Sequence, residues 1–232
     1  MPVIDIIVVD MKYNVVEIFN SIEGEGKRQG ELCAFIRLAG CNLQCSYCDT
    51  VHAQTTENSK ELSLEEIIDW VNENSYSKNV TVTGGEPLLC ENIEELLGAL
   101  ACNGFEINIE TNGSFSLKEM MQKYPTNIFF SLDYKLSNSG MSNFMLVENW
   151  QYLRDYDVLK FVVSDLEELH EIRNLLHSHC LDKQRLPCKN IYISPVIEKV
   201  SPAQIIELIE KHSDTLKSCK LQLQLHKQIN VR

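Results

Sequence analysis

Three cysteines lie close together in residues 40–50, which read GCNLQCSYCDT. Cys41, Cys45 and Cys48 follow the spacing C-x3-C-x2-C, so one short loop can direct three thiolates at an iron–sulfur cubane. The fourth iron of such a cluster would be free to bind a substrate or cofactor. Zinc is the alternative, but structural zinc takes four ligands, usually from two cysteine pairs. The spacing therefore predicts a [4Fe–4S] cluster with one open iron.

A second grouping keeps the zinc alternative open. Cys180 and Cys188 lie near His177 and His179, and thiolate and imidazole are the ligands that zinc prefers. Three unrelated core thiols are the other alternative for the first grouping, and the polar sequence of its loop argues against them. We interpret the cysteines outside residues 41–48 as buried thiols.

A glycine-rich motif, TGGEP at residues 83–87, follows a predicted strand downstream of the cysteines. Glycines permit close backbone approach, and a carboxylate pairs with an ammonium group. Together with Tyr47, an aromatic residue before the last cysteine, this motif resembles the radical S-adenosylmethionine (AdoMet) superfamily. The resemblance implies that the backbone at Gly85 and the carboxylate of Glu86 contact the amino group of AdoMet.

Short β-rich runs alternate with amphipathic helical stretches, and this pattern must position both motifs. We predict strands at residues 34–38, 80–83, 106–110, 128–133, 158–164, 190–194 and 221–226. We predict helices at residues 64–74, 91–102, 166–178 and 202–212, the first with Ser63 and Glu66 as a capping box. Alternating strands and helices imply parallel strands with right-handed crossovers. The predicted fold is α/β, a partial (open) TIM-like (β/α) barrel of about six parallel strands in one radical AdoMet domain, residues 1–232.

Polar clusters follow four of the predicted strands. They read GCNLQC, TGGEP, ETNG and DYK in chain order. In a (β/α) barrel, the carboxyl ends of the strands meet at one face, and catalytic residues collect there. The placement of these clusters therefore predicts an enzyme.

The composition fits a soluble single domain and argues against some partners. The chain has 232 residues, of which 44% are hydrophobic and 23% are charged. A net charge of −12 without a basic run argues against direct binding to nucleic acid. Residues 1–10 have the features of neither a signal peptide nor a membrane span, and we interpret them as an N-terminal extension or an extra strand. The cysteine content without a secretory signal favours a reducing, cytoplasmic location.

The segment before the cluster narrows the family. Residues 17–43 contain EIFNSIEGEG and FIRLAGCNL, and CDT closes the cluster loop. This stretch resembles the 7-carboxy-7-deazaguanine synthase family, with Glu23 where that family more often has Gln. The resemblance implies a carbon–nitrogen lyase that converts 6-carboxy-5,6,7,8-tetrahydropterin to 7-carboxy-7-deazaguanine with loss of ammonia, in queuosine and deazapurine biosynthesis. It also implies that AdoMet supplies a radical and is regenerated, and that Mg²⁺ assists.

The resemblance assigns further residues by motif position. Thr50 would bind Mg²⁺, and a helix N-cap is the alternative for this residue. The AdoMet contacts would be Gly85, Glu86, Glu110, Ser131, Lys135, Ser194, Pro195, Val196 and Ile197. The pterin contacts would be Ile22, Glu23, Gly24, Arg37, Thr83, His226 and the terminal Arg232. An internal salt bridge is the alternative for Arg37, because a buried guanidinium needs a carboxylate partner.

The resemblance also implies a homodimer and an electron donor such as flavodoxin or ferredoxin, with no membrane partner. Two other functions stay open from the residues alone. A glycyl-radical activase shares the cysteine spacing but acts on a protein, and the G-E-G element with Arg37 favours the synthase instead. A zinc- or cluster-binding regulatory module would have no catalysis, and the TGGEP motif argues against it.

Overall fold

The computed structural model describes residues 11–124, 126–180 and 186–231, without the side chain of Cys180. One nine-stranded sheet runs through these residues. Its strands are β1 Lys12–Ile22, β2 Leu32–Leu38, β3 Lys60–Ser63, β4 Asn79–Gly84, β5 Glu106–Thr111, β6 Ile128–Tyr134, β7 Val158–Val163, β8 Asn190–Pro195 and β9 Cys219–Leu221. The α-helices are α1 Leu64–Asn74, α2 Ile93–Cys102, α3 Lys118–Lys123, α4 Glu167–Cys180, α5 Pro202–Lys211, α6 Ser213–Leu216 and α7 Leu225–Gln228.

The strands lie in the order β3-β1-β2-β4-β5-β6-β7-β8-β9. From β2 to β9 every neighbouring pair is parallel, whereas β1 pairs antiparallel with both β2 and β3. The predicted, mostly parallel partial barrel is therefore confirmed. The antiparallel strand β1 at this edge was not predicted from the sequence. A register shift between Val15 and Glu17 interrupts the two-residue alternation in β1 that would have indicated a strand.

The ends of the predicted helices are set by local signals. Ser63 caps α1 as predicted, because its hydroxyl accepts a hydrogen bond from the Glu66 N–H at 3.1 Å. In return, the Ser63 N–H donates to the Glu66 carboxylate at 2.7 Å. The helix predicted from residue 91 begins at Ile93, since Asn92 has a left-handed conformation with a φ of 57°.

The last predicted strand, at residues 221–226, is wrong. Pairing with β8 stops at Leu221, and Leu225–Gln228 forms the short helix α7. The segment therefore turns away from the sheet just where the prediction extends it.

The two faces of the sheet carry opposite chemistry. On β5, Ile107 and Ile109 are fully buried in an apolar core shared with the helices, whereas Asn108 and Glu110 take part in polar contacts inside the barrel. Side chains alternate between the faces because the strand period is two residues. This apolar core extends from Tyr13 to Cys219. The single domain over residues 1–232 stays a prediction, and residues 1–10 lie outside the described residues. No helix in the described part of the chain is long and apolar enough to cross a bilayer.

Candidate active site

The loop with the three cysteines, residues 41–48, follows β2 and is held on two sides. The Cys41 N–H donates to Gln54 O at 3.1 Å, and the Ser46 N–H donates to Ser139 O at 3.0 Å. All three thiols are free and partly exposed, and they line a cavity of about 390 Å³, called here the first cavity. Three free thiols that face one space are what a cubane needs from a protein.

The donor set of the first cavity fits a [4Fe–4S] cluster. Within residues 11–124, 126–180 and 186–231, no three His, Cys, Asp or Glu side chains are arranged to hold one metal ion. The ligands of a cubane bind different irons and do not converge on one centre. The alternative zinc grouping gains no support, since Cys188 is buried and its thiol donates to Asp157 O at 3.1 Å. The side chain of Cys180 lies outside the described residues.

Two glycines hold the end of β4 against the cluster loop. A Cβ on Gly85 would lie 2.1 Å from Gly40 O, and a Cβ on Gly84 would lie 2.0 Å from Leu38 O. Gly84 also has a φ of 149°, which side chains disfavour. Both glycines line the first cavity. The TGGEP motif therefore lets the backbone of β4 contact the backbone that carries the cysteines.

Glu86 lies behind the first cavity and does not form its wall. The residue is 1% exposed, and its carboxylate accepts hydrogen bonds from the Leu88 N–H at 3.0 Å and the Asn112 N–H at 2.7 Å. The Thr111 hydroxyl donates to the same carboxylate at 2.8 Å. Burial raises the pKa of Glu86 to about 7, although these donors act to lower it. Because both oxygens are engaged within the protein, Glu86 ties the end of β4 to the end of β5, and these bonds do not provide its predicted contact with AdoMet.

A second cavity, of about 460 Å³, adjoins the first. Phe19 and Phe35 stack in its wall with ring centroids 5.1 Å apart. An aromatic pair beside polar groups suits a flat polar ring. The predicted substrate residues that line this cavity are Ile22, Gly24, Arg37, Thr83 and His226.

Arg37 forms the internal salt bridge that was the alternative to a substrate contact. Its Nε donates to Glu17 Oε1 at 2.9 Å across the β1–β2 pair. Burial lowers the pKa of Arg37, and the carboxylates of Glu110 and Asp49 oppose that change. Arg37 nevertheless lines the second cavity, so a guanidinium is available beside the aromatic pair.

The two cavities share a wall that contains both carboxylates and lysines. The residues that line both are Asp49, Thr50, Thr83, Gly84, Glu110, Asp133, Lys160, Gln224 and Lys227. A molecule in the first cavity would therefore face a molecule in the second across these side chains.

Lys160 lies in this wall and was not predicted from the sequence to be a site residue. It forms ion pairs with Glu25 and, at 3.4 Å, with Asp133, which also contacts Lys135 at 3.1 Å. Burial lowers the pKa of Lys160, but the two carboxylates outweigh burial and raise the pKa well above its usual range. One signal is present in the sequence: Lys160 is the single charge in the apolar run VLKFVV. A lone charge in a buried strand is typical of a side chain that faces a site.

Glu110 lies in the shared wall and accepts a hydrogen bond from the Thr83 hydroxyl at 2.7 Å. Burial and the neighbouring carboxylate of Glu23 raise the pKa of Glu110 to about 7, while Lys160 acts to lower it. A carboxyl group with this pKa changes its charge near neutral pH.

Thr50 makes no helix cap, although it precedes the 3-10 turn Val51–Ala53. Its hydroxyl donates to Asp49 Oδ1 at 2.9 Å, and Lys227 binds the other oxygen of Asp49. Burial acts to raise the pKa of Asp49, but Lys227 and Thr50 outweigh it and hold that pKa at about 2. The pair Asp49-Thr50 therefore offers an ionised carboxylate and a hydroxyl to the shared wall.

Helix α7 lies directly on the loop that follows β1. The Leu225 N–H donates to Gly24 O at 2.9 Å, and a Cβ on Gly24 would lie 1.7 Å from His226 Nδ1. With a Cβ at residue 24, the His226 ring would have to move from this position. The contact brings His226 to the wall of the second cavity.

Several predicted residues lie away from the cavities. Ser131 lies deeper in the barrel than Asp133, and its hydroxyl donates to Asn108 Oδ1 at 2.9 Å. Glu23 is buried against Thr81 and lines neither cavity. Thr81 lies two residues before Thr83 on the same face of β4, so the Glu23 side chain lies inside the barrel, beyond the residues that line the second cavity.

Of the four residues predicted to contact the adenine at the end of β8, two line the first cavity and two do not. Val196 and Ile197 line the first cavity, whereas Ser194 and Pro195 do not. Ser194 is fully buried, and its Oγ has no hydrogen-bond partner among the described residues. The predicted contact of Arg232 lies outside the described residues.

Comparisons with known proteins agree with this architecture. A sequence profile of the Radical SAM superfamily matches residues 35–134. The 7-carboxy-7-deazaguanine synthase of Clostridium acetobutylicum is 43% identical over 219 residues, which cover 94% of this chain and 96% of that protein. The 7-carboxy-7-deazaguanine synthase of Leptospira interrogans is 30% identical over 241 residues, covering 95% of this chain and 96% of that protein. The crystal structure of QueE from Escherichia coli aligns with a TM-score of 0.71 and 23% sequence identity over 93% of this chain and 95% of that chain, which supports the fold.

Proposed function

The chain belongs to the 7-carboxy-7-deazaguanine synthase family of radical AdoMet lyases, and we propose that its first cavity holds AdoMet and its second a carboxylated tetrahydropterin. Members of this family make a precursor of queuosine. The observation that carries the proposal is the wall shared by the two cavities, since a reaction between two bound molecules needs them side by side. A glycyl-radical activase is disfavoured, because the similarity to synthases extends over nearly the whole chain.

Cys41, Cys45 and Cys48 would hold the [4Fe–4S] cluster through their thiolates. When bound, the cluster and AdoMet supply the one-electron chemistry that removes a hydrogen atom from the pterin. The chain itself contributes position, since Gly84 and Gly85 fix the cluster loop against the end of β4.

The walls of the first cavity suit the parts of AdoMet. Lys135 offers an ammonium group to the methionine carboxylate. Glu110 offers a carboxylate to the ribose hydroxyls, and Val196 with Ile197 offers an apolar surface to the adenine. The backbone at Gly85 would meet the methionine amino group. Glu86 would act by holding this backbone in place.

The second cavity suits a carboxylated pterin. Phe19 and Phe35 form an aromatic surface for the ring, and Arg37 offers a guanidinium to the carboxylate. Ile22 and Gly24 offer backbone groups to the ring edge, with the hydroxyl of Thr83 and the imidazole of His226 as further polar contacts.

Mg²⁺ would be bound at Thr50, where the hydroxyl lies beside the ionised Asp49 carboxylate. Mg²⁺ prefers oxygen ligands and often shares its site with an anionic substrate group. The resemblance further supports a terminal contact from Arg232, reduction by a flavodoxin or ferredoxin, a homodimer and a cytoplasmic location.

The test is anaerobic incubation with AdoMet, Mg²⁺, a reductant and 6-carboxytetrahydropterin. We expect 7-carboxy-7-deazaguanine to form, without stoichiometric consumption of AdoMet. An unchanged pterin together with cleaved AdoMet would contradict the substrate, and an unchanged pterin together with intact AdoMet would contradict the radical chemistry.

A further inference from the structure

Glu23 is a buried carboxyl group at the start of the loop that joins β1 to β2. It is 2% exposed and accepts a hydrogen bond from the Thr81 hydroxyl. Among the described residues, the cation paired with it is Arg28, whose Nη2 lies 3.6 Å from Glu23 Oε1. Glu23 lines neither the first nor the second cavity, and the side chains of Asn108 and Glu110 also lie near its carboxyl group.

Arg28 extends beneath the same loop and is nine-tenths buried. Its Nη1 donates to Asn79 Oδ1 at 2.7 Å, and its guanidinium lies 4.4 Å from the ring centroid of Phe129. The other carboxylate near it is Glu106, at 4.0 Å, but that side chain is 67% exposed. An arginine keeps its charge inside a protein, so it needs a buried counter-charge. Glu23 is positioned to be that group.

The loop between these two residues carries part of the second cavity. The Glu23 N–H donates to Glu31 O at 2.8 Å, and the Gly30 N–H donates to Glu23 O at 2.8 Å, so the backbone of Glu23 closes the loop. Above this closure, Gly24 and Glu25 line the second cavity. The side chains of Glu23 and Arg28 secure the same loop from below.

We propose that Glu23 and Arg28 form a positioning pair that fixes the loop at residues 23–31. The pair orients Gly24 and Glu25 toward the pterin, and the Glu23 side chain does not touch the substrate. This inference rests on the proposed function, because it assumes that the pterin binds in the second cavity.

The test is a double-mutant cycle of Glu23→Gln, Arg28→Met and the double variant, measured on anaerobically purified holoenzyme. Either single change leaves a buried charge without its partner, so we expect each to lower Tm by on the order of 10 °C. We also expect KM for the pterin to rise roughly tenfold, with kcat within about twofold, since the loop loosens while the reacting groups remain. The double variant should recover more than half of both changes. Lys27→Met, at an exposed cation of the same loop, is the matched control and should change neither quantity.

Additive effects on KM, with Tm unchanged by Glu23→Gln, would mean that Glu23 acts on the substrate alone and would overturn the pair. If Glu23→Gln yields no folded holoenzyme, the double variant decides, because its recovery supports the pair and its equal failure overturns it. If the unaltered enzyme binds AdoMet but does not turn over the pterin, the proposed function fails. The Tm values still test the pair in that case, because they need no substrate.

Discussion

The two faces of the same strands have different functions in this molecule. The outer face packs into the apolar core with the helices, and the inner face carries the polar residues inside the barrel. On β5, Ile107 and Ile109 help to form the apolar core, while Glu110 lies between the two cavities. On β2, Ile36 and Leu38 are buried in the core, while Arg37 between them lines the second cavity. Because side chains alternate between the two faces of a strand, one residue can stabilise the core while the next lines a cavity. Changes on the inner face and its loops should therefore impair activity first, and changes on the outer face should impair folding first.

The largest expected effect comes from Cys45→Ala in the cluster loop. Two thiolates cannot hold the cubane as three do, so iron content and turnover should both be lost. The fold should persist, because the thiol is partly exposed and belongs to no core. Iron analysis and circular dichroism of the anaerobically purified variant measure both properties. A variant with a complete cluster would remove Cys45 from the ligand set.

The next largest effect is expected from Gly85→Ala, which should impair both cluster binding and folding. The new Cβ would overlap Gly40 O, so the end of β4 and the cluster loop must separate. We expect iron content to fall severalfold and Tm to decrease. Gly98→Ala in α2 is the matched control, because, apart from its own helix backbone and its chain neighbours, no heavy atom of the described residues lies within 4 Å of its new Cβ. That control should be neutral or slightly stabilising, since alanine favours helix over glycine.

Ile107→Ala tests the outer face. Removing a fully buried isoleucine side chain should lower the free energy of unfolding by about 2–5 kcal/mol, and Ile107→Val should lower it by about 0.5–1.5 kcal/mol. Cluster content per folded molecule and KM for both ligands should stay near their original values. Denaturant unfolding and anaerobic kinetics provide the two measurements. Lost activity in a variant of unchanged stability would show that the faces are not separable at this strand.

The smallest expected effect concerns the protonation of Glu110. Because its pKa is raised to about 7, the carboxylate loses its charge as the pH falls below 7, and it then accepts the ribose hydroxyls less well. AdoMet affinity should therefore fall between pH 8 and pH 6, by at most roughly tenfold. Glu110→Gln should bind AdoMet more weakly at pH 8 and show a shallower slope, since Glu86, whose pKa is also raised to about 7, remains in the variant. Titration of the holoenzyme with AdoMet at several pH values gives the comparison, and an equal slope in both proteins would contradict it.

The outer face was largely predictable from the sequence, because the spacing of apolar residues along a strand or helix indicates which side chains are buried. The parallel strands and the helix capped by Ser63 follow from short-range patterns that the structure retains. The antiparallel strand β1 was missed because its register shift breaks that period. The strand predicted at residues 221–226 was wrong because the path of the chain after β9 depends on a hydrogen bond to Gly24, which is distant in sequence.

The site residues on the inner face were predictable only where they belong to a recognisable sequence motif. The cysteine loop and the two glycines carry a recognisable spacing, and the structure brings them together. Glu86 and Ser131 were also assigned by motif position, yet their side chains bind within the protein. A motif places a residue along the chain but does not fix the direction of its side chain. Lys160 carries no motif, and its role depends on carboxylates that only the folded sheet brings near.

The central claim is that the three cysteines hold a [4Fe–4S] cluster whose open iron faces AdoMet in the first cavity. Electron paramagnetic resonance of the reduced, anaerobic protein, recorded with and without AdoMet, tests it most directly. We predict about four irons per chain and a cluster signal that shifts when AdoMet is added. Bound zinc without iron, or a cluster signal that AdoMet leaves unchanged, would contradict the account.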